Sequence, residues 1–343
     1  MKRTRIAVVM GGRTPEHEIS LISGREVVRN LDRSKYSILP IVIDRLGDKW
    51  RVISPSKLLQ VSENKLLAGH TSEIVKKSNK EVSGSRQIAK YVDVVFIAMH
   101  GPFGEDGTIQ GLFELAGIKY TGPGVLASAL GMDKLMFRKI LKAAKIPQPN
   151  YVTLGKNEKT SKIFERLGKP PYFIKPSNQG SSVGCSIVWK KSSTGKAVKL
   201  ARKYSSVVLV DKFISGVEVT CGVIGNEKPI ALPLIEIIPL KGEFFDYESK
   251  YTESGAEEIV PARISKKMTE RVQEMALKVY KELGCRGFSR VDFILENKKY
   301  PKVLEINTIP GLTPMSLLPK AANEAGYSYP KFLDKIINYA KKQ

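Results

Sequence analysis

The chain has 343 residues, of which 42% are hydrophobic and 26% are charged, a composition typical of globular rather than disordered proteins. This length exceeds what one ordinary hydrophobic core accommodates, so two or three domains are expected. The sequence has no run of eighteen apolar residues, so we expect no membrane-spanning segment. The three cysteines are widely spaced, which indicates a reducing cytoplasm rather than a disulfide framework or a zinc site.

The net charge is +22, from 56 Lys and Arg against 34 Asp and Glu. Such a surplus attracts polyanions and is a reason to consider a nucleic-acid-binding protein. However, the lysines are scattered through predicted turns and helix surfaces, with no dense basic arm and no recognised nucleic-acid module. A lysine-rich composition, with anionic substrates as a secondary benefit, is the interpretation we prefer.

The first third of the chain alternates apolar runs with a helical pattern, which is typical of a parallel sheet covered on both faces. Residues 45–90 are polar and weakly patterned, and we interpret them as an insertion with mobile parts. Ligands of such sheets lie beyond the carboxyl ends of the strands, here residues 11–16 and 100–107. The predicted elements are strands at 6–10, 36–43 and 92–99, with a helix at 16–30.

The remainder predicts two further units that mix strands and helices. The loop at 239–261 is longer than most connections in compact domains, and its aromatic residues favour a lid over a disordered loop. The predicted helices cover 127–141, 161–166, 196–204, 266–283 and 329–341. The predicted strands cover 151–154, 172–174, 183–189, 207–210, 218–223, 230–238, 287–295 and 303–306.

The strands at 172–174 and 183–189 form a predicted hairpin whose connection is rich in Ser, Asn and Gly. Small residues let backbone N–H groups approach an anion, and Lys175 adds a mobile positive charge suited to phosphate. The order differs from a P-loop, in which the glycines precede the lysine and open a helix. The hairpin alone leaves a phosphate site and an ordinary surface loop equally open.

The closing pair of strands carries a second polar constellation. Because residues i and i+2 of a strand share a face, Arg290 lies beside Asp292, and Glu305 lies beside Asn307. If the strands pair, Asp292, Glu305 and Asn307 converge as oxygen ligands, which suit Mg²⁺ or Mn²⁺. The apolar neighbours mark both strands as central, so buried acids there need partners. We therefore prefer a metal site to an exposed face with salt bridges.

Three other positions have weaker signals. The Gly311 N–H lies beside the predicted metal site and is suited to an oxyanion, but an ordinary Pro-Gly turn explains these residues better. Glu16 and His100 follow predicted strands, where each residue alone is more often a cap or turn residue than a catalyst.

Short motifs follow one another along the chain: Gly11-Gly12, Glu16–Ser20, His100–Gly107, Met132–Lys134, Lys175–Gly184, Lys250-Tyr251, Arg290–Asp292 and Glu305–Gly311. In this order they closely resemble the D-alanine–D-alanine ligase family of ATP-grasp enzymes. The resemblance covers nearly the whole chain except residues 45–90, and it implies an α/β and α+β fold of three domains. These are an N-terminal preATP-grasp domain at 1–122, a central ATP-grasp subdomain at 123–210 and a C-terminal ATP-grasp subdomain at 211–343.

The resemblance implies an ATP site between the two ATP-grasp subdomains. Lys134 and Lys175 would hold the phosphates, with the hairpin closing over them and two Mg²⁺ or Mn²⁺ ions on the predicted metal ligands. Asp211 stands where the family usually has Glu. Cys185 stands where Met or Val is commoner, and we interpret this cysteine as a packing residue. The implied ATP-binding residues are Lys134, Lys175, Ser182, Asp211, Lys212, Glu218 and Lys250.

The implied reaction is the joining of two D-alanines for peptidoglycan precursor synthesis in the cytoplasm. ATP phosphorylates the first D-alanine, and the amine of the second attacks the acylphosphate and expels phosphate. The resemblance also implies a homodimer and no nucleic-acid or membrane partner. The implied catalytic residues are Glu16, Ser181, Tyr251, Arg290, Gly311 and Ser316, and the substrate residues are Glu16, His100, Arg290, Ser316 and Leu317.

Tyr251 favours dipeptide over depsipeptide synthesis, because D-lactate-using members of this superfamily lack the lid tyrosine. D-Ala–D-Ser or D-Ala–D-Lac ligation remains the alternative within the superfamily.

Tyr251→Phe is expected to raise the use of D-lactate relative to D-alanine, because it removes a hydroxyl that ties the predicted lid to Glu16 and Ser181. The measurement is the ratio of depsipeptide to dipeptide formed in a mixed-acceptor assay. An unchanged ratio would contradict the lid role of Tyr251.

Overall fold

The structure is a computed structural model that describes residues 3–67, 80–82, 88–180, 182–240 and 255–343. The strands among these residues form three separate sheets, which follow one another along the chain. No described helix combines the length and the apolar character that crossing a membrane requires.

The first sheet has six strands in the order β4-β3-β2-β1-β5-β6. Four of the six strands, β2, β1, β5 and β6, are parallel, which agrees with the predicted parallel sheet. Strands β3 and β4 are added antiparallel at one edge. The 45–90 segment is therefore partly an extension of the sheet, a role that its weak pattern did not predict. The elements are β1 (Thr4–Gly11), α1 (His17–Asn30), β2 (Tyr36–Ile43), β3 (Trp50–Val52), α2 (Pro55–Leu59), α3 (Glu63–Leu67), β4 (Lys80–Val82), β5 (Val94–Ile97), α4 (Thr108–Leu115) and β6 (Lys119–Tyr120).

The second sheet has four antiparallel strands in the order β7-β10-β8-β9. The predicted hairpin is confirmed, because β8 pairs with β9 from Tyr172 opposite Val188 to Ile174 opposite Ser186. The elements are α5 (Val125–Met132), α6 (Lys134–Ala143), β7 (Tyr151–Leu154), α7 (Ser161–Leu167), β8 (Tyr172–Pro176), β9 (Ser186–Val188), a 3₁₀ turn (Lys191–Ser193), α8 (Thr194–Ala201) and β10 (Val208–Lys212).

The third sheet has five antiparallel strands in the order β13-β12-β11-β14-β15. Strand β13 falls within the stretch predicted as a single long loop, and residues 241–254 of that stretch lie outside the described residues. The elements are β11 (Gly216–Ile224), β12 (Ile230–Pro239), β13 (Ala256–Ile259), α9 (Lys266–Glu282), β14 (Phe288–Glu296), β15 (Tyr300–Asn307), α10 (Leu317–Glu324) and α11 (Tyr329–Lys341).

The single helix predicted at 127–141 is two helices, α5 and α6, which meet at Asp133. Asp133 has an extended backbone, and its Oδ1 accepts hydrogen bonds from the N–H groups of Leu135 and Met136 at 2.9 and 3.0 Å. A carboxylate at this position accepts from N–H groups that have no partner within the helix. Its negative charge also interacts favourably with the positive end of the helix dipole. The break therefore makes Lys134 the first residue of α6.

Two hydrophobic cores join elements that lie far apart in the chain. Ala127, Phe137 and Leu141 of α5 and α6 pack in the core of the third sheet, although they fall in the range predicted for the central subdomain. The terminal helices α10 and α11 pack in a core shared with the first sheet. The predicted boundary between residues 210 and 211 falls inside β10.

Ser265→Ala is expected to lower the free energy of unfolding by about 1 kcal/mol, because the Ser265 hydroxyl caps α9 by accepting from the Met268 N–H. Urea unfolding measures this change, and Ser265→Asp is the control because it retains an acceptor. Equal midpoints for Ser265→Ala and the wild type would contradict the capping role.

Candidate active site

A cavity of about 300 Å³ lies between the second and third sheets. Strands β8, β10, β11, β14 and β15 contribute to its walls, together with the start of α6. All the described residues predicted to bind ATP line this cavity, and so do two of the three predicted metal ligands. These residues are Lys134, Lys175, Ser182, Asp211, Lys212, Glu218, Asp292 and Glu305.

Five of the described hairpin residues line the cavity, namely Phe173, Lys175, Gln179, Ser182 and Cys185. The Lys175 side chain is buried at the carboxyl end of β8, and its Nζ lies 2.9 Å from Oδ2 of Asp211. Ser182 has a φ of 58°, in the left-handed region that non-glycine residues seldom adopt. The described part of the hairpin connection therefore lies against the cavity, and an external surface loop no longer explains the hairpin.

Lys134 connects the hairpin to the closing strands. Its Nζ donates to the Gln179 carbonyl at 2.8 Å and lies 3.3 Å from Oε2 of Glu305. Burial lowers the pKa of Lys134, but the neighbouring acidic groups, Glu305 foremost and Glu105 among them, together hold this pKa above its ordinary value. The ammonium therefore stays charged at the cavity wall.

Asp211 is buried, with 3% of its surface exposed, and both Lys175 and Arg138 contact its Oδ2 at 2.9 Å. Burial alone raises the pKa of Asp211, but the two cations outweigh burial and hold it below its ordinary value. Its Oδ1 is buried and accepts no hydrogen bond from any described residue. A buried acceptor of this kind is costly unless a donor reaches it.

The predicted convergence of the polar residues on the closing strands is confirmed. Asp292 of β14 lies directly opposite Glu305 of β15, and Arg290 lies opposite Asn307. Arg290 donates to both carboxylate oxygens of Asp292, at 2.9 and 3.0 Å, and Asn307 Nδ2 donates to Oδ2 of Asp292 at 2.9 Å. Asp292 is thereby held in one orientation on a central strand.

Sequence reasoning missed Thr220 of β11, which donates its hydroxyl to Oδ1 of Asp292 at 2.5 Å. A signal was available, because Thr220 shares a strand face with Glu218 through the i, i+2 spacing. The pairing of β11 with β14 places Thr220 opposite Asp292, but no sequence pattern predicts that these two strands pair.

Loop 100–107 of the first unit docks on the turn that follows β15. Nδ1 of His100 donates to the Ile309 carbonyl at 3.1 Å, and its Nε2 lies 2.8 Å from the Ser23 hydroxyl. The Thr308 hydroxyl donates to the Glu105 carbonyl at 3.0 Å. These bonds bring His100 to the same turn as Gly311.

Glu105 was not predicted as a site residue, although it belongs to a recognised motif. Its carboxylate lies 3.7 Å from Nδ1 of His100. Burial lowers the pKa of His100, but Glu105, with smaller contributions from Glu16 and the Ile309 carbonyl, raises this pKa above its ordinary value. Burial raises the pKa of Glu105, and the Glu16 carboxylate adds to that increase.

Glu16 is buried and lies where the first unit meets the hairpin. A Cβ placed on Gly180 would be 3.6 Å from Oε2 of Glu16, and one on Gly101 would be only 2.1 Å away. Gly101 therefore has to lack a side chain for the Glu16 carboxylate to occupy its position. The hairpin loop and the first unit meet at this carboxylate.

Gly311 and Ser316 lie together beyond β15. A Cβ on Gly311 would come within 2.8 Å of the Ser316 hydroxyl oxygen, which accepts from the Thr313 N–H at 3.1 Å. Leu317 begins α10, and its side chain packs in the hydrophobic core. Ser181, Lys250 and Tyr251 lie outside the described residues.

The donor set of Asp292, Glu305 and Asn307 consists of carboxylate and amide oxygens, which suits Mg²⁺ or Mn²⁺. Among the described residues, no three His, Cys, Asp or Glu side chains form a metal-binding group. This set does not conflict with that finding, because it has two carboxylates and one amide.

Two family models match the chain. The model for the D-ala D-ala ligase N-terminus matches residues 5–123, and the model for the D-ala D-ala ligase C-terminus matches residues 140–338. The chain is 41% identical over 340 residues to a D-alanine–D-alanine ligase of Carboxydothermus hydrogenoformans, covering 97% of each protein. It is 40% identical over 342 residues to that of Desulforudis audaxviator, covering 99% of each.

Solved structures agree with the sequence comparisons. The D-alanine-D-alanine ligase of Coxiella burnetii aligns with a TM-score of 0.86 at 32% identity, covering 100% of this chain and 95% of that one. The VanG D-Ala:D-Ser ligase of Enterococcus faecalis aligns at 0.84 and 37%, covering 99% and 100%. The Bacillus anthracis D-alanine–D-alanine ligase complexed with ATP aligns at 0.76 and 32%, covering 99% and 98%. The fold is therefore ATP-grasp, and the chain belongs to the D-alanine–D-alanine ligase family.

Proposed function

We propose that this protein joins two D-alanine molecules to D-alanyl-D-alanine at the expense of ATP, for peptidoglycan precursor synthesis. The observation that carries the proposal is the shared cavity, in which Lys134 and Lys175 face the carboxylates of Asp292 and Glu305. Phosphoryl transfer needs cations around the phosphates and oxygen ligands for metal ions, and this cavity supplies both.

The ATP site of the proposal is this cavity. Lys134 and Lys175 hold the phosphates under the hairpin loop with Ser182, while Asp211, Lys212 and Glu218 form the nucleoside end. The unpartnered Oδ1 of Asp211 supports this assignment, because a buried acceptor is costly unless a donor such as an amino group reaches it. Lys250 belongs to the same proposal, although it lies outside the described residues.

Two Mg²⁺ or Mn²⁺ ions belong to the proposal, with Asp292, Glu305 and Asn307 as their protein ligands. The residues fit such ions, because Asp292 and Glu305 line the cavity from paired strands and the Asn307 amide reaches Asp292. When bound, the ions neutralise phosphate charge and polarise the transferred group. The protein itself orients Asp292 through Arg290, Asn307 and Thr220.

The chemistry has two steps. A carboxylate oxygen of the first D-alanine attacks the γ-phosphorus of ATP, and the bond to the β-phosphate oxygen breaks to release ADP. The amine of the second D-alanine then attacks the acyl carbon, loses a proton, and the bond to phosphate breaks. Arg290 and the Gly311 N–H stabilise the oxyanion that forms between attack and release.

The remaining site residues position the two amino acids. Glu16 orients the ammonium group of the first D-alanine, and the buried His100 lies nearby on the substrate side. Ser316 receives the carboxylate of the second D-alanine, with Leu317 beside it. Ser181 and Tyr251, both outside the described residues, link Glu16 to the hairpin and the lid, which excludes water from the acylphosphate.

The proposal includes three domains at residues 1–122, 123–210 and 211–343, each of which contains most of one of the three sheets. We propose that the protein forms a homodimer in the cytoplasm and that it has no nucleic-acid partner. A filter-binding salt series tests the last point, because tight binding that falls steeply with salt would contradict it.

The alternative within the superfamily is D-Ala–D-Ser or D-Ala–D-Lac ligation. The alignment with the VanG D-Ala:D-Ser ligase at 37% identity favours D-serine as the alternative to test first. The experiment incubates the protein with ATP, Mg²⁺ and D-alanine, alone or with D-serine or D-lactate, and quantifies phosphate and each product. Product with D-serine or D-lactate but no D-alanyl-D-alanine would refute the proposal.

Glu305→Gln is expected to lower turnover at least about 100-fold while the fold persists, because it removes a charged metal ligand and the partner of Lys134. A Mg²⁺ titration of turnover measures the effect. Glu296→Gln is the matched control, because Glu296 lies at the far end of β14 and pairs with Lys302. Wild-type turnover by Glu305→Gln would contradict the metal assignment.

A further inference from the structure

Arg138 of α6 has no exposed surface, although arginine is seldom fully buried unless it is paired. Its guanidinium donates through Nη1 to the Val303 carbonyl at 2.8 Å and through Nη2 to Oδ2 of Asp211 at 2.9 Å. Arg138 does not belong to the cavity lining and lies behind Asp211. It therefore acts on the cavity only through the groups that it contacts.

The carboxylate of Asp211 is shared between two cations. Oδ2 of Asp211 lies 2.9 Å from Lys175 Nζ and 2.9 Å from Arg138 Nη2. The three buried side chains carry a net charge of +1, so one positive charge is in excess over the carboxylate. Asp211 and Lys175 line the cavity, and this excess charge is therefore available to an anion there.

The second cation changes how easily Lys175 can move. With Lys175 as its sole partner, the buried carboxylate would lose all its countercharge when the ammonium turned toward a phosphate. Leaving a buried charge unpaired is strongly unfavourable. With Arg138 in place, Asp211 keeps a hydrogen-bonded partner while Lys175 moves.

We propose that Arg138 is a positioning residue for ATP, which keeps Asp211 neutralised and so leaves the Lys175 ammonium free to bind phosphate. This inference rests on the proposed assignment of Lys175 to ATP. It adds a role for a residue that contacts neither ATP nor substrate.

The same guanidinium also links two walls of the cavity. Asp211 belongs to β10 of the second sheet, and Val303 belongs to β15 of the third, two residues before Glu305. Lysine at this position keeps the charge, but one ammonium group does not reproduce the planar fork that spans both partners. Arg138→Lys therefore keeps the charge but not the link between Asp211 and Val303, whereas Arg138→Met removes both.

The test measures the dissociation constant of the Mg²⁺ complex of AMP-PNP by calorimetry. Arg138→Met is expected to weaken binding at least about tenfold, or ~1.4 kcal/mol. Arg138→Lys is expected to recover most of this loss. Lys139→Met, an exposed neighbour on α6, is the matched control and is expected to bind within about twofold of the wild type.

Steady-state kinetics separate positioning from damage to the fold. For Arg138→Met, KM for ATP is expected to rise about tenfold, whereas kcat and KM for D-alanine change less than about threefold. A loss of folded protein would instead lower kcat and leave KM for ATP unchanged, and that pattern would overturn the proposal.

The decisive comparison uses Asp211→Asn, which removes the carboxylate through which Arg138 is proposed to act. In that background, Arg138→Met is expected to change AMP-PNP binding less than about twofold. This pair also decides the matter if Arg138→Met alone does not fold, because the double variant has no unpaired buried carboxylate. A tenfold loss in the Asp211→Asn background would overturn the proposal.

The inference and the proposed function fail in different ways. Wild-type protein that binds AMP-PNP but forms no D-alanyl-D-alanine refutes the proposed function and leaves the role of Arg138 standing. Wild-type affinity in Arg138→Met overturns the role of Arg138 and leaves the proposed function standing.

Discussion

The antiparallel pairing of β14 with β15 is the constraint on which the site depends. It places Asp292 directly opposite Glu305, and Arg290 opposite Asn307. Like charges on facing strands repel, so the pairing is stable only with cations nearby. Arg290 and Lys134 supply those cations, and Lys134 reaches Glu305 because Asp133 starts a new helix at that point. The chemistry of the site and its stability therefore rest on the same contacts.

Buried charges connect the three units. Arg138 joins Asp211 of the second sheet to β15 of the third, and Lys134 joins the hairpin loop to Glu305. His100 of the first unit donates to the turn after β15. Each contact gives a partner to a group that would be costly to bury alone. The units therefore pack around the cavity as these groups gain their partners.

Much of the local structure was predictable, because apolar periodicity reports directly on strands and helices. The strand Tyr36–Ile43 and the helix Tyr329–Lys341 have the predicted bounds. The predictions failed where a single polar side chain or pairing with a neighbouring strand, rather than periodicity, decided the structure. The break at Asp133 depends on one capping carboxylate, and β3 and β4 form because an existing edge strand pairs with them.

By itself, the sequence determined the strand faces, the hairpin around Lys175 and the oxygen character of Asp292, Glu305 and Asn307, because alternation and residue chemistry are local properties. The ordered motifs were also enough to indicate the family. Only the tertiary structure decided that Thr220 holds Asp292 and that Arg138 shares Asp211 with Lys175. These contacts join residues 72 and 73 positions apart, and their energies depend on burial, which arises only when the sheets pack together.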